Sequence, residues 1–141
     1  MEIACPHCGQ RNRVPAERLA QGPVCGKCRE PLLTGPVSAG PELLAELIAQ
    51  NSLPVLVDFW APWCGPCVGF APTFKAAAAK FGGQLVFAKV DTEAHQAVGM
   101  QHNIRSIPTL ASFRRGSELG RISGALPPAE LERLVKRLIT A

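Results

Sequence analysis

Trp63-Cys64-Gly65-Pro66-Cys67 stands between an apolar run, Val55-Leu56-Val57-Asp58-Phe59-Trp60, and a segment of helical periodicity. A strand that delivers cysteines at i and i+3 to the first turn of a helix puts both sulfurs where they can close a small disulfide or open it. The unpaired N–H groups and positive dipole end of that helix favour an anion, so the Cys64 thiol is expected to titrate below the free value of about 8.5 and to act as the nucleophile. Cys67, one turn deeper, is expected to keep its proton longer and to resolve a mixed disulfide. Pro66 presets φ for the first turn, and Gly65 permits a tight approach. Half of a metal site, or two structural cysteines, are the alternatives; neither accounts for Gly-Pro between the sulfurs and Trp63 beside them.

All six cysteines fall into Cys-X-X-Cys pairs. In a reducing compartment such pairs indicate metal binding or catalysis rather than a disulfide framework. Cys5 and Cys8 are separated from Cys25 and Cys28 by 16 residues, a spacing within the zinc-ribbon pattern in which two knuckles offer four thiolates to one tetrahedral ion. Neither knuckle stands in a strand-to-helix setting, so structural Zn²⁺ is expected there; iron on the same ligands, or two further redox pairs, are the rival readings. His7 is expected at the surface. Ile3, Val14, Leu19, Val24, Leu32 and Leu33 are too few to fold this segment alone, so metal binding is expected to supply much of its folding free energy.

The formal charge of +4 is spread along the chain, with no basic tract to indicate nucleic acid. Apolar runs stop short of the roughly 20 residues of a membrane span. The first residues lack the basic and apolar regions of a signal peptide, which points to the cytoplasm.

Thr34 to Gly40 is a linker by composition, dividing residues 1–35 from 36–141. Pro41 opens a helix with Leu43, Leu44, Leu47 and Ile48 at i, i+3, i+4 spacing. The strand from Val55 to Trp60 is apolar on both faces except for Asp58, which predicts a central strand and a buried carboxyl. Desolvation would raise the pKa of Asp58 and let it exchange a proton with Cys67. The following helix carries Phe70, Phe74, Ala77, Ala78 and Phe81 on one stripe, with Pro72 inside it and Gly82-Gly83 at its end. Leu85 to Asp91 reads as a strand whose Lys89 is either a charge partner for Asp58 or a snorkelling edge lysine. Thr92-Glu93 caps a short helix to about Gln101, with His95 and His102 assigned to the surface. Pro108 leads into a hairpin over residues 110–123, Gly124 breaks it, and Pro127-Pro128 starts a last helix. The order α-β-α-β-α-β-β-α predicts a mixed sheet with helices on both faces.

Val57-Asp58-Phe59-Trp60-Ala61-Pro62-Trp63-Cys64-Gly65-Pro66-Cys67, followed by Pro72, Lys89 and Ile107-Pro108-Thr109, resembles the thioredoxin family over residues 36–141. The leading Cys₄ segment resembles that of its zinc-bearing thioredoxin 2 branch. The resemblance implies an α/β thioredoxin fold behind a small Cys₄ zinc-ribbon-like domain, and a protein-disulfide reductase. Cys64 would attack a substrate disulfide and Cys67 would resolve it, with Asp58 and Lys89 managing protons beneath them. Pro108 would be cis, and Trp63, Gly65, Pro66, Ile107, Pro108, Gly124 and Ala125 would form the substrate surface. Electrons would come from an NADPH-dependent flavin thioredoxin reductase, so the implied partners are that enzyme and disulfide-containing proteins. Zn²⁺ on Cys5, Cys8, Cys25 and Cys28 is the implied metal, no organic cofactor is expected, and neither is a partner subunit. Val68 and Ser106 depart from common family residues at positions bearing on partner choice and potential. A zinc-dependent chaperone or interaction module, and an iron electron carrier, are the competing functions.

Overall fold

The computed structural model describes residues 1–140. Its frame is a five-stranded sheet in the order β3-β5-β4-β6-β7. The central strand β4 (Val55–Trp60) is made of β-branched, aliphatic and aromatic residues around Asp58 and is buried along nearly its whole length. It runs parallel to β5 (Val86–Asp91) and antiparallel to β6 (Thr109–Arg114), which forms a hairpin with β7 (Ser117–Ser123). Parallel neighbours need a crossover, and α2 (Gly65–Lys80) supplies it between β4 and β5.

Side chains alternate across the strands, so the two sheet faces have separate cores. On one face Leu56, Phe87 and Leu110 pack with Phe70, Phe74, Ala77 and Ala78 of α2 and with Leu131, Val135 and Leu138 of α4 (Pro128–Thr140). On the other, Val55, Val57, Phe59, Val86, Ala88 and Val90 pack with Leu44 and Leu47 of α1 (Pro41–Ala49) and Val98 of α3 (Gln96–Gln101). Gly40 and Pro41 begin α1, the proline pre-shaped for a first turn whose N–H has no partner to lose.

The first 33 residues build a two-stranded antiparallel ribbon, β1 (Glu2–Ala4) with β2 (Arg11–Arg13), and a 3₁₀ helix, Ala16–Gln21. Its apolar residues Ile3, Val14, Leu19, Leu32 and Leu33 are buried in the same core as α1 and the strands behind it. The Ser52 hydroxyl donates to the Ala16 carbonyl at 2.5 Å, joining the 3₁₀ helix to the loop before β4.

Three features depart from the sequence expectations. The stretch read as linker contains an edge strand, β3 (Val37–Ser38), parallel to β5, and the Ala39 N–H continues the ladder to the Lys89 carbonyl at 2.9 Å. The helix expected from Thr92 begins only at Gln96: Asp91 Oδ1 accepts the N–H groups of Glu93 and Ala94, an Asx turn. Thr92 meanwhile donates its hydroxyl to the Trp60 carbonyl at 3.0 Å and so does not act as a cap. His102 is not a surface residue. Its ring is half-buried between Phe59 and Phe113, at centroid distances of 5.6 and 5.7 Å, and burial disfavours its protonated form. His95 is half-buried too, packed beside Gly40.

Candidate functional site

Strand β4 ends at Trp60, and the chain turns through Ala61, whose carbonyl accepts the Cys64 N–H at 3.1 Å. Cys64 is the N-cap of α2, and its Sγ accepts the Cys67 N–H at 3.2 Å. A sulfur thus stands where a serine or aspartate oxygen commonly satisfies an orphan donor of the first turn. Cys64 and Cys67 are joined in a disulfide, the former 5% and the latter 1% exposed. Across from them the Ile107 carbonyl lies 3.8 Å from Cys64 Sγ, and the Ile107–Pro108 peptide is cis. The loop carrying that peptide is tied to the end of β7 by the Gly124 N–H, which donates to the Pro108 carbonyl at 2.8 Å.

Asp58 is fully buried, and neither carboxylate oxygen has a hydrogen-bond partner among the described residues. Loss of water pushes its pKa up to about 6, and the Lys89 charge pulls the other way without prevailing. Strand register sets the two side by side on the sheet face that α2 covers, with Leu110 on the other flank of Asp58. The Lys89 ammonium does not reach the carboxylate; it lies over the Trp60 ring, 4.4 Å from its centroid. The lysine therefore acts on Asp58 at a distance while its head rests on an aromatic face, and it is not an edge lysine, since β5 is paired on one side with β3 and on the other with β4.

Trp63 is 70% exposed and forms one wall of a groove of about 290 Å³ that also includes Ile107. Gly124 and Ala125 are exposed, and the Gly124 bond to the Pro108 carbonyl sets the end of β7 beside the cis-peptide loop. Gly65 is exposed, with open space where a Cβ would stand, and the neighbouring Pro66 is exposed as well.

In the N-terminal segment the sulfurs of Cys5, Cys8, Cys25 and Cys28 all lie within 4.8 Å of one another, with Cys5 to Cys28 at 3.6 Å and Cys8 to Cys25 at 3.7 Å. Four sulfurs at about 2.3 Å from a tetrahedral ion are about 3.8 Å apart, so the cluster fits Zn²⁺. Backbone N–H groups of His7 and Lys27 donate to Cys5 and Cys25, each at 3.4 Å. The Cys28 N–H, then burial working against it, then Asn12 set the Cys25 thiol at about 6. Cys28 is pushed up to about 12: the Glu30 N–H favours its thiolate, but burial and the three neighbouring sulfurs outweigh it. Four thiolates this close require a cation to coexist. Asn12 ties β2 to the second knuckle, accepting the Gly26 N–H at 2.9 Å and donating to Cys25 Sγ at 3.5 Å. Sequence reading passed over it; the one signal was an asparagine, a poor strand former, between two arginines. His7 stays off the sulfurs and bonds Thr34 Oγ1 at 3.1 Å.

The model of the thioredoxin family matches residues 37–137, and that described as thioredoxin 2, N-terminal, matches residues 4–30. The chain is 47% identical to thioredoxin C-3 of Corynebacterium nephridii, over 94% of this chain and 91% of that one. It is 44% identical to thioredoxin 1 of Synechococcus elongatus over 60% of this chain and 78% of the relative. Among solved structures, Plasmodium falciparum thioredoxin superposes with a TM-score of 0.65 at 32% identity, covering 71% of this chain and 96% of the other. The fold, the disulfide at the mouth of α2 and these matches agree: the chain belongs to the thioredoxin family of protein-disulfide oxidoreductases and carries the thioredoxin 2 ribbon at its N-terminal end.

Proposed function

We propose that this protein is a cytoplasmic protein-disulfide reductase that works as a monomer and is itself re-reduced by an NADPH-dependent thioredoxin reductase. The observation that carries the reading is the Cys64–Cys67 disulfide at the α2 N-terminus, with the Cys67 N–H aimed at Cys64 Sγ. In the reduced protein that N–H and the dipole of α2 stabilise the Cys64 thiolate. The thiolate attacks one sulfur of a substrate disulfide, forming a Cys64 mixed disulfide and releasing a substrate thiolate that takes up a proton. Asp58 accepts the Cys67 proton, the Cys67 thiolate attacks Cys64 Sγ, and the second substrate sulfur leaves as a thiolate that takes up a proton. Two electrons and two protons reach the substrate, and the protein ends as the disulfide. Lys89 limits how far burial raises Asp58. Trp63, Gly65, Pro66, Ile107, Pro108, Gly124 and Ala125 form the substrate surface around the sulfurs, and the Gly124 N–H bond to the Pro108 carbonyl supports the cis-peptide loop.

Cys5, Cys8, Cys25 and Cys28 would hold one Zn²⁺, which supplies a structural crosslink. The sulfur spacing and the N–H donors to Cys5 and Cys25 support this. No organic cofactor enters the cycle.

The test is turnover with NADPH, a thioredoxin reductase and insulin. Insulin reduction is expected from the wild type and loss of at least about a thousand-fold from Cys64→Ser; comparable rates for the two proteins would refute the reading. Metal analysis of the purified protein is expected to return one zinc per chain and no iron.

A further inference from the structure

The groove walled by Trp63 extends away from the sulfurs toward α3 and the segment that follows it. It is lined by Gln96, Met100 and Arg105 as well as Trp63 and Ile107. Met100 is 79% exposed, the most exposed of the large apolar side chains among the described residues, and with Trp63 it gives the groove two exposed apolar side chains. The position of Arg105 relative to Met100 is fixed by backbone. Asn103, at φ 54, ends α3; the Ile104 N–H donates to the Gly99 carbonyl at 2.8 Å and the Asn103 N–H to the Met100 carbonyl at 3.1 Å. These paired bonds are those of a Schellman cap with asparagine in the left-handed position. Arg121, itself held by Glu118, donates to the His102 carbonyl at 2.9 Å and clamps the same turn from β7. Arg105 is the one charged residue lining the groove, is exposed, and has no ion-pair partner among the described residues.

We propose that the groove is a specificity subsite, in which Met100 and Trp63 take an apolar side chain near the attacked cysteine of a substrate protein and Arg105 takes a carboxylate beside it. This rests on the reductase reading and goes further, assigning a preferred substrate class: disulfides flanked by an apolar residue next to an aspartate or glutamate. A side chain fits the volume, whereas a folded element does not. The turn is pinned by backbone bonds and by Arg121, so little ordering remains to be done when the substrate docks. A carboxylate complements the only charge present, whereas a lysine there would be repelled and would lose its own hydration.

The test is a single-turnover measurement that needs no reductase. Reduced protein, freed of reductant, is mixed with peptides closed by one internal disulfide, each carrying Leu at one flanking position and Asp or Lys in turn at its neighbours. At one position or more the wild type is expected to reduce the Asp peptide about five-fold faster than the Lys peptide, the span of an exposed ion pair. Arg105→Gln is expected to erase that ratio and Arg105→Glu to invert it, while about 0.5 M salt compresses it in the wild type. Met100→Gln is expected to lower the preference for Leu over Ser at the adjoining position at least about two-fold. A charge ratio unaffected by residue 105 at every position overturns the subsite while leaving the reductase intact. Failure of the reduced wild type to reduce any peptide overturns the reductase reading itself.

Discussion

Asp58 is held without a hydrogen bond in the middle of β4, where burial costs most when the carboxyl is charged. Its pKa of about 6 in the folded chain stands above the ordinary 3.8. A carboxyl raised in this way gives its stabilising contribution in full below the unfolded value and loses it as pH rises through the folded one. Over that window the difference is about 3 kcal/mol. Asp58→Asn is therefore expected to stabilise the oxidised protein by about 3 kcal/mol at pH 8, with the gain shrinking through pH 6 and gone below pH 4. Urea unfolding at several pH values measures it, and a gain independent of pH would rule out desolvation of the charged carboxylate as its source. The buried carboxyl was legible in the sequence, since Asp58 interrupts a run apolar on both faces. The seat of Lys89 on Trp60 was not, because two residues remote in sequence meet only through strand register.

At the scale of elements, long periodic segments declared themselves and short ones did not. The stripe on α2 and the double-faced β4 follow from spacing alone. β3 is two residues in a Gly-Pro-rich stretch, and nothing local marks it; its reason for being is the open edge of β5. α3 starts late because Asp91 captures the N–H groups that Thr92 was expected to cap, a competition between two adjacent good candidates. Two glycines separate contact from propensity. A Cβ at Gly82 would stand 2.8 Å from the Leu33 carbonyl oxygen and 3.0 Å from Thr34 Cα, backbone that cannot rotate away. Gly82→Ala is expected to destabilise by about 1–3 kcal/mol, as overpacking does. At Gly99, inside α3, the nearest atoms belong to Thr92 at an ordinary 3.7 Å. Gly99→Ala is expected to gain up to about 1 kcal/mol through helix propensity. Thermal or urea melts of the two variants check the opposite signs.

For the whole molecule, composition could not show what the apolar residues of the cysteine-rich segment are buried against. Ile3, Leu19 and Leu32 are fully buried in one core with Leu44, Leu47 and Val57. The apolar residues of the ribbon complete the core of its neighbour. Leu19→Ala, distant in sequence from the active site, is expected to cost about 2–5 kcal/mol of global stability. Fluorescence of Trp60 and Trp63 should follow the same denaturant curve as metal release; two separated transitions would show that the ribbon unfolds independently. Truncation of residues 1–33 is expected to uncover the apolar side of α1 and lower the stability of what remains, so point substitutions at the cysteines probe the metal more cleanly than deletion. Chimeras should follow the same rule. A ribbon transplanted onto a short relative is expected to dock only if the recipient also carries the apolar core that its leucines join and a glycine at the place of Gly82, where a missing Cβ lets the two backbones touch.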